Sequence, residues 1–388
     1  MDQKIYYVDS AEALKELCGR ISGKPWLALD TEFMRESTYY PRLCLIQLAT
    51  DDTIACIDPL AITRLDALME ILFDPAVIKV FHACGQDMEI FYHDQGRLPR
   101  PVFDTQLAAP LLGLPSQASY ASLVQELLGK TLAKSHTRTD WSRRPLASAQ
   151  IDYALDDVRY LGPLFLKLRA ELEQRGRLAW LQEQFAALSD PARYHTPPEL
   201  AWRRIRAAGR LSGRRLEILK ALAAWREERA RTEDRPRGWI LPDEALIDIA
   251  RLSPADAEQL ASLRSVKRQT AQEYGGEILA RVRQAKAAPA SATDAPPADR
   301  AGPLDPRQEA LADIMMALVR VRGAEHAINP GMLASRDDLA RLILGERDGE
   351  ILQGWKKDLI GDDLLQLMAG KLIPRIENGT PRFDRAPV

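Results

Sequence analysis

Three short apolar runs near the N-terminus do most to limit what this 388-residue chain can fold into. They are residues 26–30, 43–50 and 53–58, and the gaps between them are short. Short apolar runs are typical of strands, and short connections favour hairpins. We therefore predict three strands that form two hairpins of an antiparallel sheet.

The residues that follow alternate one more strand pattern with helical patterns. Residues 62–73 and 85–96 have helical spacing and enclose a strand pattern at 78–83. Three later stretches also have helical spacing, at 119–129, 148–176 and 178–188. Strands followed by alternating strands and helices indicate an α/β domain with a mixed sheet.

From about Ala201 onward the sequence contains helix signals and no convincing strand. Pro242 and Pro254 each stand at the start of a helical pattern, where proline is favoured. Residues 287–303 are small, polar and proline-rich, which is typical of a linker. The apolar spacing of residues 240–252 returns at 328–343, so we predict two similar helical units on either side of that linker.

Composition excludes several classes of protein. No run is long and apolar enough for a membrane span, and the N-terminus lacks the basic and apolar regions of a signal peptide. The four cysteines lack paired metal-binding spacing, which suits reduced thiols in a cytoplasmic protein. The net charge of -2 conceals a basic region, because residues 201–290 hold 19 Lys or Arg against 12 Asp or Glu. That excess is a plausible phosphate-binding surface, and a solvated arginine-rich helical surface is the alternative.

Five residues suggest a shared catalytic site. Asp30 and Glu32 end a predicted strand and point to one face, while Tyr153 and Asp157 lie one turn apart on a predicted helix. Asp87 lies near the start of another helix. Four carboxylates in one pocket repel each other, and a pair of divalent cations, Mg²⁺ or Mn²⁺, resolves that repulsion. Such a site suits two-metal hydrolysis of a phosphodiester.

Neighbouring acidic residues compete for these roles. Asp104 is also flanked by apolar residues and is the alternative to Asp87 as a metal ligand. We interpret Asp87 as the ligand and Asp104 as supporting structure. Asp156 points about 100° away from Asp157 around the helix, so we leave it and Asp152 outside the metal set. Tyr153 is not a strong base, because the ordinary pKa of tyrosine is near 10.

The motifs Asp30-Thr31-Glu32, the segment centred on Asp87, and Tyr153 through Asp157 resemble those of the DEDD exonucleases with a tyrosine in the last motif. The segment KSHTRTDWSRRPL (134–146) makes the chain most similar to the ribonuclease D family within that group. The resemblance implies a ribonuclease-H-like mixed sheet flanked by helices, followed by two all-α domains similar to HRDC domains. The boundaries we predict are 1–205 for the nuclease, 206–288 and 305–384 for the HRDC-like domains, and 289–304 for a flexible linker.

The resemblance also implies a function. It predicts a metal-dependent 3′→5′ exoribonuclease that releases nucleoside 5′-monophosphates from RNA, tRNA precursors with 3′ extensions above all. In that scheme Asp30 bridges both metals, Glu32 and Asp157 bind one of them, and Asp87 binds the other. Tyr153 orients the attacking water. We expect a cytoplasmic monomer without a membrane partner.

Two segments are candidates for substrate contact. Lys134, Arg138 and Trp141, with Arg143 and Arg144 beside them, combine an aromatic ring with basic charge, as single-strand binding sites do. A surface loop that packs one tryptophan is the alternative. Phe33 and Met34 follow the first motif and are placed to wedge against the terminal base, with core packing as their alternative. His82 lies in a strand pattern and is expected to be a core histidine.

Two alternative functions remain. A 3′→5′ DNA exonuclease needs the same five side chains, and only contacts to the 2′-hydroxyl distinguish it. A noncatalytic nucleic-acid-binding adaptor is expected to have lost a metal ligand, whereas all of them are present here.

Overall fold

The structure is a computed structural model that describes residues 3–132, 139–287 and 302–386. Its N-terminal part is built on a six-stranded mixed sheet. The strands are β1 (Lys4–Val8), β2 (Trp26–Met34), β3 (Arg42–Ala49), β4 (Thr53–Ile57), β5 (Ile78–Phe81) and β6 (Val102–Asp104). Their order is β1-β4-β3-β2-β5-β6, with β3 antiparallel to both neighbours and the other adjacent pairs parallel.

The predicted hairpins β2–β3 and β3–β4 are confirmed, and so is the α/β mixed sheet. The sequence analysis did not identify β1 and β6, which are the two edge strands. Both are short, and each pairs in parallel, β1 with the distant β4 and β6 with β5 across the crossover helix α3. A local pattern carries little signal for such a pairing, because parallel strands are joined by a crossover and not by a hairpin.

Helices cover both faces of this sheet. They are α1 (Ala11–Ile21), α2 (Asp66–Leu72), α3 (Gly85–Gln95), α4 (Thr105–Ala108), α5 (Tyr120–Leu128), α6 (Ser148–Arg159), α7 (Leu161–Gln174) and α8 (Gln182–Leu188). Short 3₁₀ turns connect some of them, at Ala109–Leu112, Leu178–Leu181, Pro191–Arg193, Pro198–Arg204 and Ala208–Arg210. One apolar core lies between the sheet and α1 to α3, and a second lies between the sheet and α5 to α7.

The alternation of side chains along β2 aims the first motif. Trp26 and Ala28 pack into the core under α6 and α7, whereas Leu27 and Leu29 pack into the core beside α3. Because side chains alternate along a strand, Asp30 and Glu32 continue on the α6 side. Thr31 continues on the α3 side.

A β-bulge lies at the end of this first motif. Glu32 pairs with Leu45 and Phe33 with Leu43, which leaves Cys44 as the extra residue of β3. The carbonyl of Cys44 accepts a hydrogen bond from Arg144 Nη2 at 2.7 Å, and Arg144 also donates to Asp58 Oδ1 at 2.8 Å. Arg144 therefore fastens the segment before α6 to the sheet.

The first helical unit comprises α9 (Gly213–Thr232), α10 (Arg237–Ile240), α11 (Asp243–Leu252), α12 (Ala257–Ser262) and α13 (Arg268–Ala287). Its apolar core also takes in Ala201, Trp202 and Ile205. The core of this unit thus begins before the boundary predicted at residue 206.

The terminal unit comprises α14 (Pro306–His326), α15 (Pro330–Leu333), α16 (Arg336–Ile343), α17 (Gly354–Lys356), α18 (Asp362–Met368), β7 (Leu372–Glu377) and β8 (Thr380–Arg385). A 3₁₀ turn, Glu350–Leu352, precedes α17, and a π-helical segment, Lys357–Gly361, precedes α18. The prediction of an all-α second domain is therefore wrong at its end, where β7 and β8 form an antiparallel hairpin. Asn378 and Gly379 turn this hairpin with φ of 49° and 76°, and Asn-Gly between strands is a strong hairpin signal.

The terminal unit docks on the nuclease part and shares its core. Trp180 stacks on Trp355 with ring centroids 4.6 Å apart and an interplanar angle of 6°. Asn329 donates two hydrogen bonds to main-chain carbonyls across this junction, from its backbone N–H to Pro110 at 2.8 Å and from its side-chain Nδ2 to Leu114 at 3.1 Å. Buried residues of α14, α16 and α18 belong to the same continuous core as α6 and α7.

Removing one of the stacked rings should weaken this junction. We expect Trp355→Ala to lower the free energy of unfolding by about 2–3 kcal/mol, less than full truncation of a buried aromatic because the ring is only half-buried. The measurement is chemical denaturation followed by circular dichroism. Trp239→Ala is the matched control, since Trp239 is 56% exposed and its loss should change stability by less than about 0.5 kcal/mol. Equal losses in both variants would contradict a docking role for the stack.

Within the described ranges, no helix is both long enough and apolar enough to cross a bilayer.

Candidate metal and catalytic site

Three of the predicted carboxylates meet where α6 crosses the sheet. Asp30, Glu32 and Asp157 each contribute an oxygen to a group whose members lie within 4.8 Å of one another. The first two come from β2 and the third from α6, which packs across β2, β3 and β4. An arrangement of this kind, made only of carboxylate oxygens, is what Mg²⁺ and Mn²⁺ prefer.

Asp87 lies beside this group but is not a member of it. It sits in the first turn of α3, is buried, and accepts a hydrogen bond of 2.5 Å from Thr31 Oγ1. The negative charge of Asp87 nevertheless acts on the group, because it raises the pKa of both Asp30 and Glu32. Thr31, which the sequence analysis passed over, thus connects the strand of the first motif to the second.

The carboxyl groups of the site have raised pKa values, which indicates that their ionised forms need positive charge nearby. Burial raises the pKa of Glu32 to about 8, of Asp87 to about 7 and of Asp157 to about 6. The pKa of Asp30 lies well above its usual range, through burial first and then the charges of Asp87 and Asp157. Without a counterion the ionised cluster is unfavourable, so the residues present fit bound divalent cations.

A buried glutamine faces the same site. Gln47 is 0% exposed and pairs with Asp30 across β2 and β3, so the two side chains share the face beneath α6. Neither polar atom of its side chain has a hydrogen-bond partner among the residues that the structure describes. Buried amides are nearly always partnered, so an orphaned one beside the carboxylates fits a site built for polar ligands. A polar residue in the apolar run 43–50 was the sequence signal for it.

Tyr153 lies where the sequence placed it, one turn before Asp157. Its phenol donates a hydrogen bond to Asp157. Burial, then the charges of Asp157 and Glu32, raise the pKa of Tyr153, so the hydroxyl stays protonated and serves as a donor. The ring packs 6.2 Å from the ring of Trp141.

Trp141 is 6% exposed, which favours the packing alternative over base stacking. The covered ring supports Tyr153, and contact of Trp141 with RNA remains a prediction. Arg143 is exposed and pairs with Asp140, while Arg144 is held by the sheet. Lys134 and Arg138 lie outside the described residues.

Phe33 and Met34 are half-buried just past the bulge, at the open end of β2. Met34 packs partly against the core under α6, and neither side chain is fully covered. Their contact with a terminal base remains a prediction.

The competing acidic residues have structural partners. Asp104 caps α4 and accepts hydrogen bonds from the backbone N–H groups of Ala83, Cys84 and Gln106 at 3.0, 2.9 and 2.8 Å. Ala83 has φ of 59°, a left-handed conformation that costs an alanine roughly 1–2 kcal/mol, and these bonds hold the turn that starts α3. Asp156 pairs with Arg159 at 2.9 Å. His82 bonds Thr105 at 2.9 Å, as expected of a core histidine.

The raised pKa values predict how the metal-free protein responds to pH. A carboxyl group whose pKa is higher in the folded state stabilises the fold below its unfolded pKa, and that contribution is lost as pH rises through the folded value. In EDTA we therefore expect the free energy of unfolding to fall between about pH 4 and pH 8, on the order of a few kcal/mol. Chemical denaturation at pH 5 and pH 8 measures it. Mg²⁺ at pH 8 should restore the loss, and equal stability at both pH values in EDTA would contradict the prediction.

Comparison with known proteins agrees with this geometry. The family described as 3′-5′ exonuclease matches residues 5–173, and the HRDC domain family matches residues 215–282. Ribonuclease D of Granulibacter bethesdensis is 44% identical over 94% of this chain and 93% of its own length, and that of Sphingobium indicum is 40% identical over 97% and 98%. The crystal structure of Escherichia coli RNase D, described as an exoribonuclease involved in structured RNA processing, is 34% identical and covers 95% of this chain and 99% of its own, with a TM-score of 0.81.

Proposed function

The chain belongs to the ribonuclease D family and is a metal-dependent 3′→5′ exoribonuclease, and from that premise we propose that it trims structured RNA, tRNA precursors with 3′ extensions above all. The carboxylate group formed by Asp30, Glu32 and Asp157 carries this proposal. The Escherichia coli relative, whose described role is structured RNA processing, supports the choice of substrate.

We propose that the site holds two divalent cations, Mg²⁺ or Mn²⁺. The close group of Asp30, Glu32 and Asp157 suits one of them, and Asp87, held by Thr31 beside Asp30, suits the other. Bound cations of this kind make a hydroxide available at neutral pH and offset charge on the phosphodiester.

The side chains of the protein do the positioning. The protonated hydroxyl of Tyr153, bonded to Asp157, holds the attacking water in line with the terminal phosphodiester. The water oxygen bonds to phosphorus, the bond to the 3′-oxygen breaks, and that oxygen leaves with a proton. The product is a nucleoside 5′-monophosphate. Phe33 and Met34, partly open at the end of β2, would contact its base.

One assay tests the function. The full-length protein is incubated with a 3′-extended tRNA in Mg²⁺, in Mn²⁺ and in EDTA, and the products are resolved by length and identified as mononucleotides. We expect stepwise shortening from the 3′ end in either cation and none in EDTA. A DNA strand of matched sequence distinguishes the DNA exonuclease alternative, and RNA binding without shortening in any cation would indicate the adaptor.

We further propose that the protein works as a cytoplasmic monomer. The domain boundaries are those given above, except that the core of the first helical unit begins at Ala201. The four cysteines are all buried and unpaired, as is usual in a reducing compartment. Light scattering during size-exclusion chromatography measures the oligomeric state.

A further inference from the structure

A polar cavity lies where the nuclease part meets the first helical unit. It measures about 590 Å³, within the range of ligand sites in proteins. Its walls come from the segment after β2, from α3, from the turn after α8 and from the start of α10. Arg35 lies three residues after Glu32 and Gly85 two residues before Asp87, so the cavity adjoins the carboxylate site without including it.

Its lining is cationic. Four arginines line it, Arg35, Arg193, Arg204 and Arg237, against two glutamates, Glu36 and Glu89. Arg35 pairs with Glu89 at 2.9 Å, so those charges offset each other. Bonding to His93 and Arg35 lowers the pKa of Glu89 to about 2, which keeps it ionised.

Arg237 belongs to a network that joins the two parts. Glu227 is shared between Arg237 and Arg231, and it accepts a hydrogen bond of 2.5 Å from Tyr39 Oη. Asp234 accepts the main-chain N–H groups of Tyr39 and Tyr40, each at 3.0 Å. The guanidinium groups of Arg237 and Arg231 are thus held by Glu227, which joins the first helical unit to Tyr39 of the nuclease part.

Arg193 and Arg204 differ from Arg35 and Arg237, which are held in ion pairs. Both are exposed, and neither forms an ion pair with any residue in the described part of the chain. Arg204 belongs to a segment that holds six arginines and no acidic residue between Glu199 and Glu217. Two unpaired guanidinium groups in a concave wall beside a phosphodiester-cleaving site are suited to charge-assisted bonds with phosphate oxygens.

We propose that this cavity, through Arg193 and Arg204, binds the phosphodiester backbone of the single-stranded 3′ end a few nucleotides upstream of the cleaved bond. The inference rests on the proposed function and goes beyond it, because it assigns a second contact to the strand at the domain junction. The protein should therefore bind RNA strands differently according to their length. A dinucleotide occupies the carboxylate site alone, and a longer strand reaches both the carboxylate site and the cavity.

The test uses the full-length protein and compares a dinucleotide with a single-stranded RNA dodecamer. Arg193→Gln/Arg204→Gln should raise KM for the dodecamer about tenfold and leave kcat unchanged. Hydrolysis of the dinucleotide should stay within about twofold of the parent. In an Asp30→Asn background, the slope of log Kd against log salt for the dodecamer should flatten by about 0.7 for each lost phosphate contact.

Arg203→Gln is the matched control. Arg203 is the exposed neighbour of Arg204, lies over the ring of Trp202 at 5.8 Å and does not line the cavity. It should change KM for the dodecamer by less than about twofold, so that position rather than total charge decides the effect. The Arg193→Lys/Arg204→Lys variant keeps the charge and should retain the salt slope, and a thermal midpoint checks that every variant is folded.

Two results would overturn the inference. One is a dodecamer KM in the double glutamine variant equal to that of the Arg203→Gln protein. The other is an equal loss on the dinucleotide, which would place the arginines in the cleavage site itself. Failure of the parent protein to shorten any RNA is a separate outcome that refutes the proposed function.

Discussion

Asp30→Asn is expected to reduce kcat by at least about 10³-fold, because the change removes a central charge from the site that stabilises the reacting phosphate. The same variant should gain stability in EDTA. The pKa of Asp30 is raised in the folded protein, chiefly by burial, so the ionised carboxylate opposes folding and an amide does not. Single-turnover hydrolysis at saturating Mg²⁺ and chemical denaturation at pH 8 measure the two effects.

Asp152→Asn is the control for this variant. Asp152 is an exposed carboxylate on α6 outside the close group, so its loss should leave both kcat and stability nearly unchanged. More than a few per cent of residual activity in Asp30→Asn would show that the proposed bridging role is wrong.

Tyr153→Phe should lower kcat by about 10²–10⁴-fold, the usual effect of losing a positioned catalytic group. The ring and its packing against Trp141 remain, and only the hydroxyl bonded to Asp157 is lost. Binding of RNA should therefore change little. Kinetics at saturating RNA and binding in EDTA separate the two quantities.

Tyr120→Phe removes a comparable buried hydroxyl from the same neighbourhood. Tyr120 Oη donates to the carbonyl of Asp156 at 2.9 Å and accepts from the N–H of Tyr160 at 3.1 Å. Its loss should lower the free energy of unfolding by about 1–3 kcal/mol while kcat falls far less than in Tyr153→Phe. Similar kcat values in the two variants would make Tyr153 a packing residue.

The sequence was sufficient for those parts of the site that depend on local periodicity. The two-residue spacing of Asp30 and Glu32 and the four-residue spacing of Tyr153 and Asp157 each place a pair on one face. That these pairs meet depends on α6 crossing β2, which no local pattern contains. The structure forms the close group from three of the four predicted ligands and leaves Asp87 beside it.

The sequence analysis overlooked residues, or left their roles open, where those roles depend on neighbours from other strands and helices. Gln47 matters because β3 pairs it with Asp30, and Thr31 because α3 brings Asp87 to it. The sequence left two roles open for Trp141 because its burial comes from tertiary packing, which a local pattern does not contain. The β7–β8 hairpin is different, since Asn378-Gly379 is a local sequence signal for it that the sequence analysis did not use.

The core shared by α6, α7 and the terminal unit has a consequence for how the protein is made. Ribosomes deliver the chain from its N-terminus, and domains generally fold as they emerge. The nuclease part, however, finishes burying its apolar surface only when α14 to α18 arrive, well after α6 and α7 have been synthesised. A nascent chain in which all five motif residues have been synthesised therefore still lacks the terminal unit, against which α6 and α7 pack. Full stability of the RNA-cutting part is reached only after the terminal unit has emerged and docked on it.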